Sequence, residues 1–221
     1  MNIINDKVTE YLESLYRPLN REIEQLREIA EKHHVPIILR DSEEAILNII
    51  RIKKPDRILE IGTAMGYSAI CFASILPDVR IVSLERSERM ARYALANIEK
   101  FHMEDRIRIV RGDALESLKE LKAAMTDVEA EGFDLVFIDA AKSLYRKFWD
   151  GCIPLCRKKA VILSDNVLLH ARTASDEFIS DRRQKTSVRH MREYISYITK
   201  SDDADTAVIP VGDGIAVSVL R

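Results

Sequence analysis

Five carboxylate side chains stand at the ends of short apolar runs, at intervals of 25, 28, 26 and 26 residues along the chain. In an open parallel sheet, the carboxyl ends of the strands form one edge, and ligands bind there. A single aspartate at such a position is often only a turn residue, but five in succession predict a row of acids along one rim. Such a rim suits hydroxyl-rich ligands, cationic ligands and metal ions, and does not suit a bare phosphate. The five residues are Glu60, Glu85, Asp113, Asp139 and Asp165.

A glycine-containing turn follows the first of these acids. Gly62 and Gly66 lie four residues apart, just before Ser68, and allow a sharp turn and a close approach of a ligand to the backbone. The dinucleotide fingerprint needs three glycines and a phosphate-binding loop needs a lysine, and this turn has neither feature. The pattern favours a nucleoside without phosphates, with Glu60, Gly62, Gly66 and Ser68 as candidate contacts. The alternative is that the glycines only turn the chain.

The next two acids suit the two halves of a nucleoside. Glu85 ends the second strand run, where a carboxylate can accept hydrogen bonds from both ribose hydroxyls. Asp113, followed by Ala114, ends the third run, where it can accept a hydrogen bond from an adenine amino group. An exposed cap for Glu85 and a helix cap for Asp113 are the alternatives.

The strands and helices that position these acids are predicted from two sequence patterns that alternate after Pro55. Runs rich in β-branched residues alternate with amphipathic helices, which predicts parallel strands joined by right-handed helical crossovers. A last helix is expected over about 181–199. Two final runs, 206–211 and 215–220, are separated by Gly212-Asp213-Gly214 and predict an antiparallel hairpin in which Asp213 is a turn residue. The five earlier strands are expected at 57–61, 80–84, 106–110, 133–138 and 160–163.

Residues 2 to about 53 have apolar side chains at three- and four-residue spacing, which predicts helices. Pro18 and Pro36 divide this region, and Asp41-Ser42 is expected to cap the third helix. The fold class expected from all these elements is α/β. We expect one doubly wound, Rossmann-like domain over 1–221, with an N-terminal helical cover at 1–53 and a cofactor-binding core at 55–221.

The composition is that of an ordinary soluble protein, with 47% hydrophobic and 32% charged residues. The apolar runs are only strand-sized, so no membrane span is expected. A net charge of -2 gives no global indication of a nucleic-acid partner, and DNA is not expected. Three cysteines form no even disulfide framework, and residues 1–7 lack the pattern of a signal peptide. These features predict a cytoplasmic location.

The motifs together resemble the class I S-adenosylmethionine methyltransferases, and within them the cation-dependent O-methyltransferases that act on catechols and caffeoyl-coenzyme A. The resemblance implies S-adenosylmethionine and Mg²⁺, or another divalent cation, as cofactors. It also implies a seven-stranded sheet with an antiparallel last strand, and a homodimer. The segments that carry it are 59–63, 66–69, 112–114, 137–142 and Asp165-Asn166.

A narrower resemblance extends over nearly the whole chain. Residues 33–37 and 209–214 are similar to those of bacterial enzymes that methylate 5-hydroxyuridine at the tRNA wobble position. In many relatives a glycine-containing loop stands where this chain has residues 39–42. The resemblance adds Ile38 as a candidate cofactor contact, and it implies that a tRNA is the substrate.

Asp139, Asp165 and Asn166 supply three hard oxygen ligands from two neighbouring strand ends. Mg²⁺ prefers six oxygen ligands, so three protein ligands leave room for two adjacent acceptor oxygens. By resemblance, Asp139 also acts in catalysis and contacts the cofactor, and Lys142 is the general base or a cation that stabilises the developing oxyanion. A capping Asp-Asn pair and a solvated lysine are the alternatives.

A basic segment follows the fifth strand. Arg182, Lys185 and Arg189 are expected to share one face of the last helix, as a surface that binds tRNA phosphates. The alternative is a merely solvated face. The function expected first is methylation of 5-hydroxyuridine in tRNA to 5-methoxyuridine. The same chemistry on a small catechol or phenol is the alternative, and a binding module without turnover is a third possibility.

Overall fold

The computed structural model describes residues 6–125 and 132–221, and its centre is a seven-stranded sheet in the order β3-β2-β1-β4-β5-β7-β6. Strands β1 to β5 pair in parallel, and β7 runs antiparallel to both β5 and β6. The expected fold class, with its antiparallel last strand, is therefore confirmed. The strands are β1 Arg57–Ile61, β2 Arg80–Glu85, β3 Ile107–Arg111, β4 Phe133–Ile138, β5 Cys156–Ser164, β6 Ala204–Ile209 and β7 Ile215–Leu220.

Helices cover both faces of the sheet, because successive strand residues point to opposite sides and both sides are apolar. Ile58 packs in one core with the helices over 21–32, 40–53 and 67–75, whereas the adjacent Leu59 packs in another with those over 114–124, 145–152 and 184–199. Short 3₁₀ helices occupy Lys142–Leu144, Ile153–Leu155 and Asp176–Phe178. The α-helices are α1 Asp6–Leu15, α2 Arg21–Lys32, α3 Arg40–Lys53, α4 Tyr67–Ile75, α5 Glu88–Lys100, α6 Ala114–Ala124, α7 Tyr145–Cys152 and α8 Gln184–Thr199.

The ends of several elements differ from the expected bounds. Strand β5 begins at Cys156 rather than at residue 160, because Cys156 already pairs with Phe133 of β4. The register then shifts, and the next pair is Leu135 with Val161. Helix α8 begins at Gln184, three residues later than expected, since Asp181 accepts the N–H of Arg183 and closes a turn there. The helix expected from residue 2 falls partly on residues 1–5, which lie outside the described part of the chain.

The expected helix cap at Asp41-Ser42 is wrong. Helix α3 begins at Arg40, after Leu39, and Leu39 makes no side-chain cap hydrogen bond. The Asp41 carboxylate instead accepts the N–H of Gly212 at 3.1 Å, in the hairpin between β6 and β7. Asp41 is therefore committed to a contact 171 residues away along the chain, which local sequence does not encode. Within residues 6–125 and 132–221, no helix is long and apolar enough to cross a membrane.

Candidate active site

A cavity of about 620 Å³ opens at the carboxyl edge of the sheet. It lies where the strand order reverses, with β2 and β3 on one side of β1 and β4 and β5 on the other. Open α/β sheets bind ligands at such a switch point. The cavity therefore collects residues from the ends of five strands, β1 to β5, and from the segment before α3. The predicted site residues that line it are Ile38, Gly62, Ser68, Glu85, Asp113, Ala114, Asp139, Lys142 and Asn166.

Gly62 lets β1 and β4 come close together at the floor of this cavity. Its φ is +88°, a left-handed conformation, and a Cβ added there would lie 2.2 Å from the carbonyl oxygen of Asp139. Gly66 has a different role. It does not line the cavity but precedes α4 with a φ of +85°, and an added Cβ would lie 3.3 Å from Ala94. The first glycine thus shapes the site and the second packs the loop against α5.

Glu60 lies beneath the cavity rather than in its wall. It is completely buried, and its carboxylate accepts hydrogen bonds from the hydroxyls of Ser83, at 2.6 Å, and of Ser68. Burial raises the pKa of Glu60, and the serine hydroxyls act in the opposite direction. Ser68 itself lines the cavity. The predicted contact of Glu60 with the cofactor is therefore not direct in this conformation, and Glu60 positions the Ser68 hydroxyl instead.

Glu85 is almost buried at the end of β2, and it lines the cavity. Its Oε2 accepts the N–H of Ala64 at 2.9 Å, and its Oε1 accepts the N–H of Ser87 at 2.7 Å. Each carboxylate oxygen can accept more than one hydrogen bond, so both remain able to accept from ligand hydroxyls. The two backbone contacts restrain the carboxylate at the wall of the cavity, and its contact with ribose hydroxyls stays a prediction.

Asp113 caps a helix and also lines the cavity, so the cap does not exclude the contact with an adenine amino group, which stays a prediction. Its Oδ1 accepts the N–H groups of Leu115 and Glu116 at 2.9 and 3.4 Å, at the start of α6. Ala114 lies beside it in the cavity wall, and Ile38 contributes buried apolar surface from the segment before α3. The carbonyl of Ile38 accepts a hydrogen bond from the buried Arg27 at 2.9 Å, which fixes this part of the wall.

The ammonium group of Lys142 lies among the oxygen atoms at the ends of β4 and β5. Its Nζ is 2.9 Å from Asp139 Oδ1, 3.0 Å from Asn166 Oδ1 and 3.3 Å from the carbonyl oxygen of Asp165. The side chains of Asp139, Lys142 and Asn166 are thus brought together around one point, to which Asp165 contributes its backbone carbonyl oxygen. These oxygens, here called the cation-binding cluster, therefore accommodate the positive charge of the Lys142 ammonium group.

Asp165 supplies the observation that bears most directly on a metal ion. It is completely buried, and Oδ1 accepts the N–H of Asn166 at 2.8 Å. Oδ2 is buried and has no hydrogen-bond partner among the described residues. Burial, and next the neighbouring Asp139 carboxylate, raise the pKa of Asp165 to about 7. Buried polar atoms normally have a partner, so this carboxylate fits a role as a ligand of a divalent cation.

Asn166 completes the candidate metal centre from a left-handed backbone conformation, with a φ of +54°. Asparagine tolerates this conformation better than most residues, because its short side chain can hydrogen-bond locally. No three His, Cys, Asp or Glu side chains form a metal-binding group in the part of the chain that the structure describes. The candidate centre therefore depends on the amide oxygen of Asn166 in addition to the carboxylates of Asp139 and Asp165.

Tyr145 belongs to the site but was missed in the sequence analysis. Its hydroxyl donates to the carbonyl oxygen of Asp165 at 2.8 Å and accepts a hydrogen bond from Lys142 at 2.7 Å. Burial raises the pKa of Tyr145 far above its usual value. The signal that was available is the spacing, since Tyr145 follows Lys142 by one helical turn, as Lys142 follows Asp139.

The predicted basic surface is only partly helical. Lys185 and Arg189 are exposed one turn apart on α8, whereas Arg182 lies in the turn before the helix. Arg189 is 3.8 Å from Glu193, which offsets part of its charge. The three basic residues are exposed, but they do not share a single helix face as expected.

The family is decided by the match of residues 13–220 to the sequence model described as O-methyltransferase. The chain belongs to the O-methyltransferase family. The match includes every acid of the rim and the whole sheet, so it covers the cavity described above.

Individual relatives agree with this assignment. The O-methyltransferase imqG of Aspergillus flavus is 34% identical over 168 residues, which is 74% of this chain and 67% of the relative. Caffeoyl-CoA O-methyltransferase 1 of Eucalyptus globulus is 28% identical, over 92% of this chain and 83% of the relative. The structure of the Bacillus cereus O-methyltransferase in complex with S-adenosylhomocysteine has a TM-score of 0.81 and 26% identity, and each chain is covered to 97%. The protein is thus an S-adenosylmethionine-dependent O-methyltransferase.

Proposed function

We propose that this O-methyltransferase methylates one of two adjacent oxygens on a small catechol-like or phenolic acceptor, with a divalent cation bound by Asp139, Asp165 and Asn166. The observation that carries the proposal is the cation-binding cluster, in which a lysine ammonium contacts the side-chain oxygens of Asp139 and Asn166. In the same cluster, the buried Oδ2 of Asp165 has no hydrogen-bond partner among the described residues. The names of the relatives support a phenolic acceptor, since caffeoyl groups carry two adjacent phenolic hydroxyls.

Some side chains of the cavity orient the cofactor, and others orient the acceptor. Glu85 holds the ribose hydroxyls, and Asp113 and Ile38 enclose the adenine end. A divalent cation at the cluster supplies Lewis-acid stabilisation of a developing oxyanion. Lys142 lies 2.9 Å from Asp139, so its positive charge stabilises the same oxyanion from the protein side. Alignment of the acceptor oxygen with the methyl group is expected to supply roughly 7–11 kcal/mol of the barrier reduction.

Metal dependence is tested with enzyme treated with EDTA and assayed with catechol or caffeoyl-coenzyme A. We expect turnover to disappear without a divalent cation and to return with Mg²⁺. Asn166→Ala is expected to abolish metal-dependent turnover and to leave the affinity for S-adenosylmethionine largely unchanged. Asn48→Ala is the matched control, because Asn48 is exposed on α3 away from the cavity. Full activity of the EDTA-treated enzyme, or of Asn166→Ala, would contradict the metal centre.

A second acceptor is a 5-hydroxyuridine within tRNA, whose 5-hydroxyl and 4-carbonyl form a comparable oxygen pair. The specific observation that favours it is the exposed basic segment Arg182, Lys185 and Arg189, which follows Asn166 in the chain. Phosphate contacts release counterions, so tRNA affinity should fall with salt at a log–log slope of about -0.7 to -0.9 per phosphate neutralised.

Mass spectrometry of tRNA nucleosides from a deletion strain separates the two acceptors. Loss of 5-methoxyuridine supports tRNA, and unchanged tRNA supports a small acceptor. With purified enzyme, replacing the three basic residues with Gln should make the dependence of tRNA affinity on salt less steep. The log–log slope should fall by up to the contribution of about three phosphate contacts. Arg92→Gln is the control, since Arg92 is exposed on α5. Methylation of free 5-hydroxyuridine should be unaffected by either change.

A further inference from the structure

The turn Gly212-Asp213-Gly214, between β6 and β7, packs between two segments that flank the active site. On one side, the N–H of Gly212 donates to Asp41 at the start of α3. On the other side, the turn faces the chain that follows Asn166. A Cβ added to Gly214 would lie 2.4 Å from the Leu168 side chain, so the contact is close and leaves no room for a side chain at position 214.

Three hydrogen bonds hold the segment after Asn166 to this turn. The N–H of Val167 donates to the carbonyl of Gly214, and that of Leu168 donates to the carbonyl of Asp213, each at 2.9 Å. The N–H of His170 donates to the carboxylate of Asp213. Two of the bonds use only backbone atoms, so Asp213 contributes the one side-chain acceptor among them.

The segment that these bonds restrain has an unfavourable backbone. Leu169, His170 and Ala171 have φ values of +50°, +54° and +65°, and Asn166 has +54°. A left-handed conformation is unfavourable for a residue other than glycine, because its Cβ comes too close to the following carbonyl oxygen. Three such residues in succession persist only where the surroundings hold them. The buried Asp213 carboxylate, 5% exposed, binds the N–H at the centre of this strained run.

We propose that Asp213 is a positioning residue for the metal centre: by holding the N–H of His170, it keeps the strained segment folded and thereby keeps the amide oxygen of Asn166 directed at the same point as the Asp139 carboxylate. The inference rests on the proposed function, since it assumes that Asn166 binds a divalent cation. Asp213 itself is not a ligand in this scheme. Its carboxylate is already engaged by His170, whose imidazole Nε2 lies 3.8 Å from the second carboxylate oxygen.

The test is calorimetric titration of the purified full chain with Mn²⁺ and, separately, with S-adenosylmethionine. Removing a residue that orients a ligand typically weakens metal binding 10–100-fold, so we expect Asp213→Ala to weaken Mn²⁺ binding at least tenfold. Asp213→Asn keeps an oxygen that accepts the His170 N–H, and should bind Mn²⁺ within about threefold of wild type. Both variants should bind S-adenosylmethionine as wild type does, because Glu85 and Asp113 lie at other strand ends.

Asp205→Ala is the matched control, since Asp205 lies on the same hairpin and its exposed carboxylate pairs only with Arg221 in the described part of the chain. Circular dichroism shows whether each variant folds. If Asp213→Ala does not fold, Asp213→Ser replaces it, because the serine hydroxyl is shorter than the carboxylate and does not reach the His170 N–H.

Each outcome bears on a different claim. Wild-type protein that binds no Mn²⁺ overturns the proposed metal centre, and the inference with it. Wild-type protein that binds Mn²⁺, with a folded Asp213→Ala variant of equal affinity, overturns the inference alone. Equal losses of Mn²⁺ and S-adenosylmethionine affinity would mean that Asp213 supports the whole rim, which also overturns the specific role.

Discussion

At the scale of single residues, two glutamates at adjacent strand ends have opposite environments. Glu60 is enclosed by serine hydroxyls beneath the cavity, and Glu85 faces the cavity with its orientation fixed by two backbone N–H groups. The cofactor should therefore depend on Glu85 through direct contact. Glu60 should act on it only through Ser68.

Glu85→Ala is expected to weaken S-adenosylmethionine binding. A hydrogen bond to a charged group contributes about 1.5–3 kcal/mol, which corresponds to a loss of affinity of roughly 10- to 150-fold. Glu85→Gln should lose less, since it keeps an acceptor for the N–H of Ala64. Calorimetry measures both affinities, and Glu88→Ala, an exposed substitution on α5, is the control. Wild-type affinity in Glu85→Ala would refute the assignment of the ribose site.

The Asp165 carboxyl should make the stability of the metal-free protein depend on pH. Its folded pKa of about 7 lies above the unfolded value of about 3.9. The folded state therefore binds the proton more tightly, and this contribution to stability is full below pH about 4 and is lost as the pH rises through 7. Asp165→Asn stays neutral and avoids the loss. In EDTA, its melting temperature should exceed that of wild type, and by more at pH 8 than at pH 5. An equal difference at both pH values would argue against a raised pKa.

At the scale of elements, the site depends on the close approach of β1 and β4. Gly62→Ala would place a methyl group 2.2 Å from the Asp139 carbonyl and force alanine into a left-handed conformation. We expect a loss of stability on the order of 2–4 kcal/mol and weaker cofactor binding, measured by denaturant unfolding and calorimetry. Gly151→Ala is the control. Its φ is not left-handed, and an added Cβ in α7 would come closer than 3.4 Å only to Cδ1 at the end of the Leu118 side chain, at 3.0 Å. The free energy of unfolding should therefore change little.

At the scale of the whole molecule, the outer side of α1 exposes three apolar residues one helical turn apart. Val8, Tyr11 and Leu15 are 43%, 64% and 52% exposed. The homodimer that the resemblance implies stays a prediction, and we expect this side of α1 to contribute to it. Sedimentation equilibrium should give twice the chain mass, and Tyr11→Glu combined with Leu15→Glu should lower it toward the monomer. An unchanged dimer in the double variant would place the interface elsewhere.

The local sequence was sufficient to predict the rim of acids and most of the sheet. A strand is recognised from an alternating or continuous run of apolar residues, which a short stretch of sequence contains. The strands at 57–61 and 133–138 were therefore predicted with their observed bounds. The direction of the chain then placed Glu85, Asp113 and Asp139 at one edge. For the same reason, the region of the cofactor cavity could be predicted before its geometry was known.

Only the tertiary structure decided how individual side chains are used. Asp41 was predicted as a helix cap, yet it binds Gly212, and Asp213 was predicted as a turn residue, yet it also binds His170. These partners lie 171 and 43 residues away, and their meeting depends on the strand order, which brings the β6–β7 hairpin beside β5. The sequence determined which residue types reach the rim, because those follow from local periodicity. The packing of distant segments determined whether each one faces the cavity or supports it from behind.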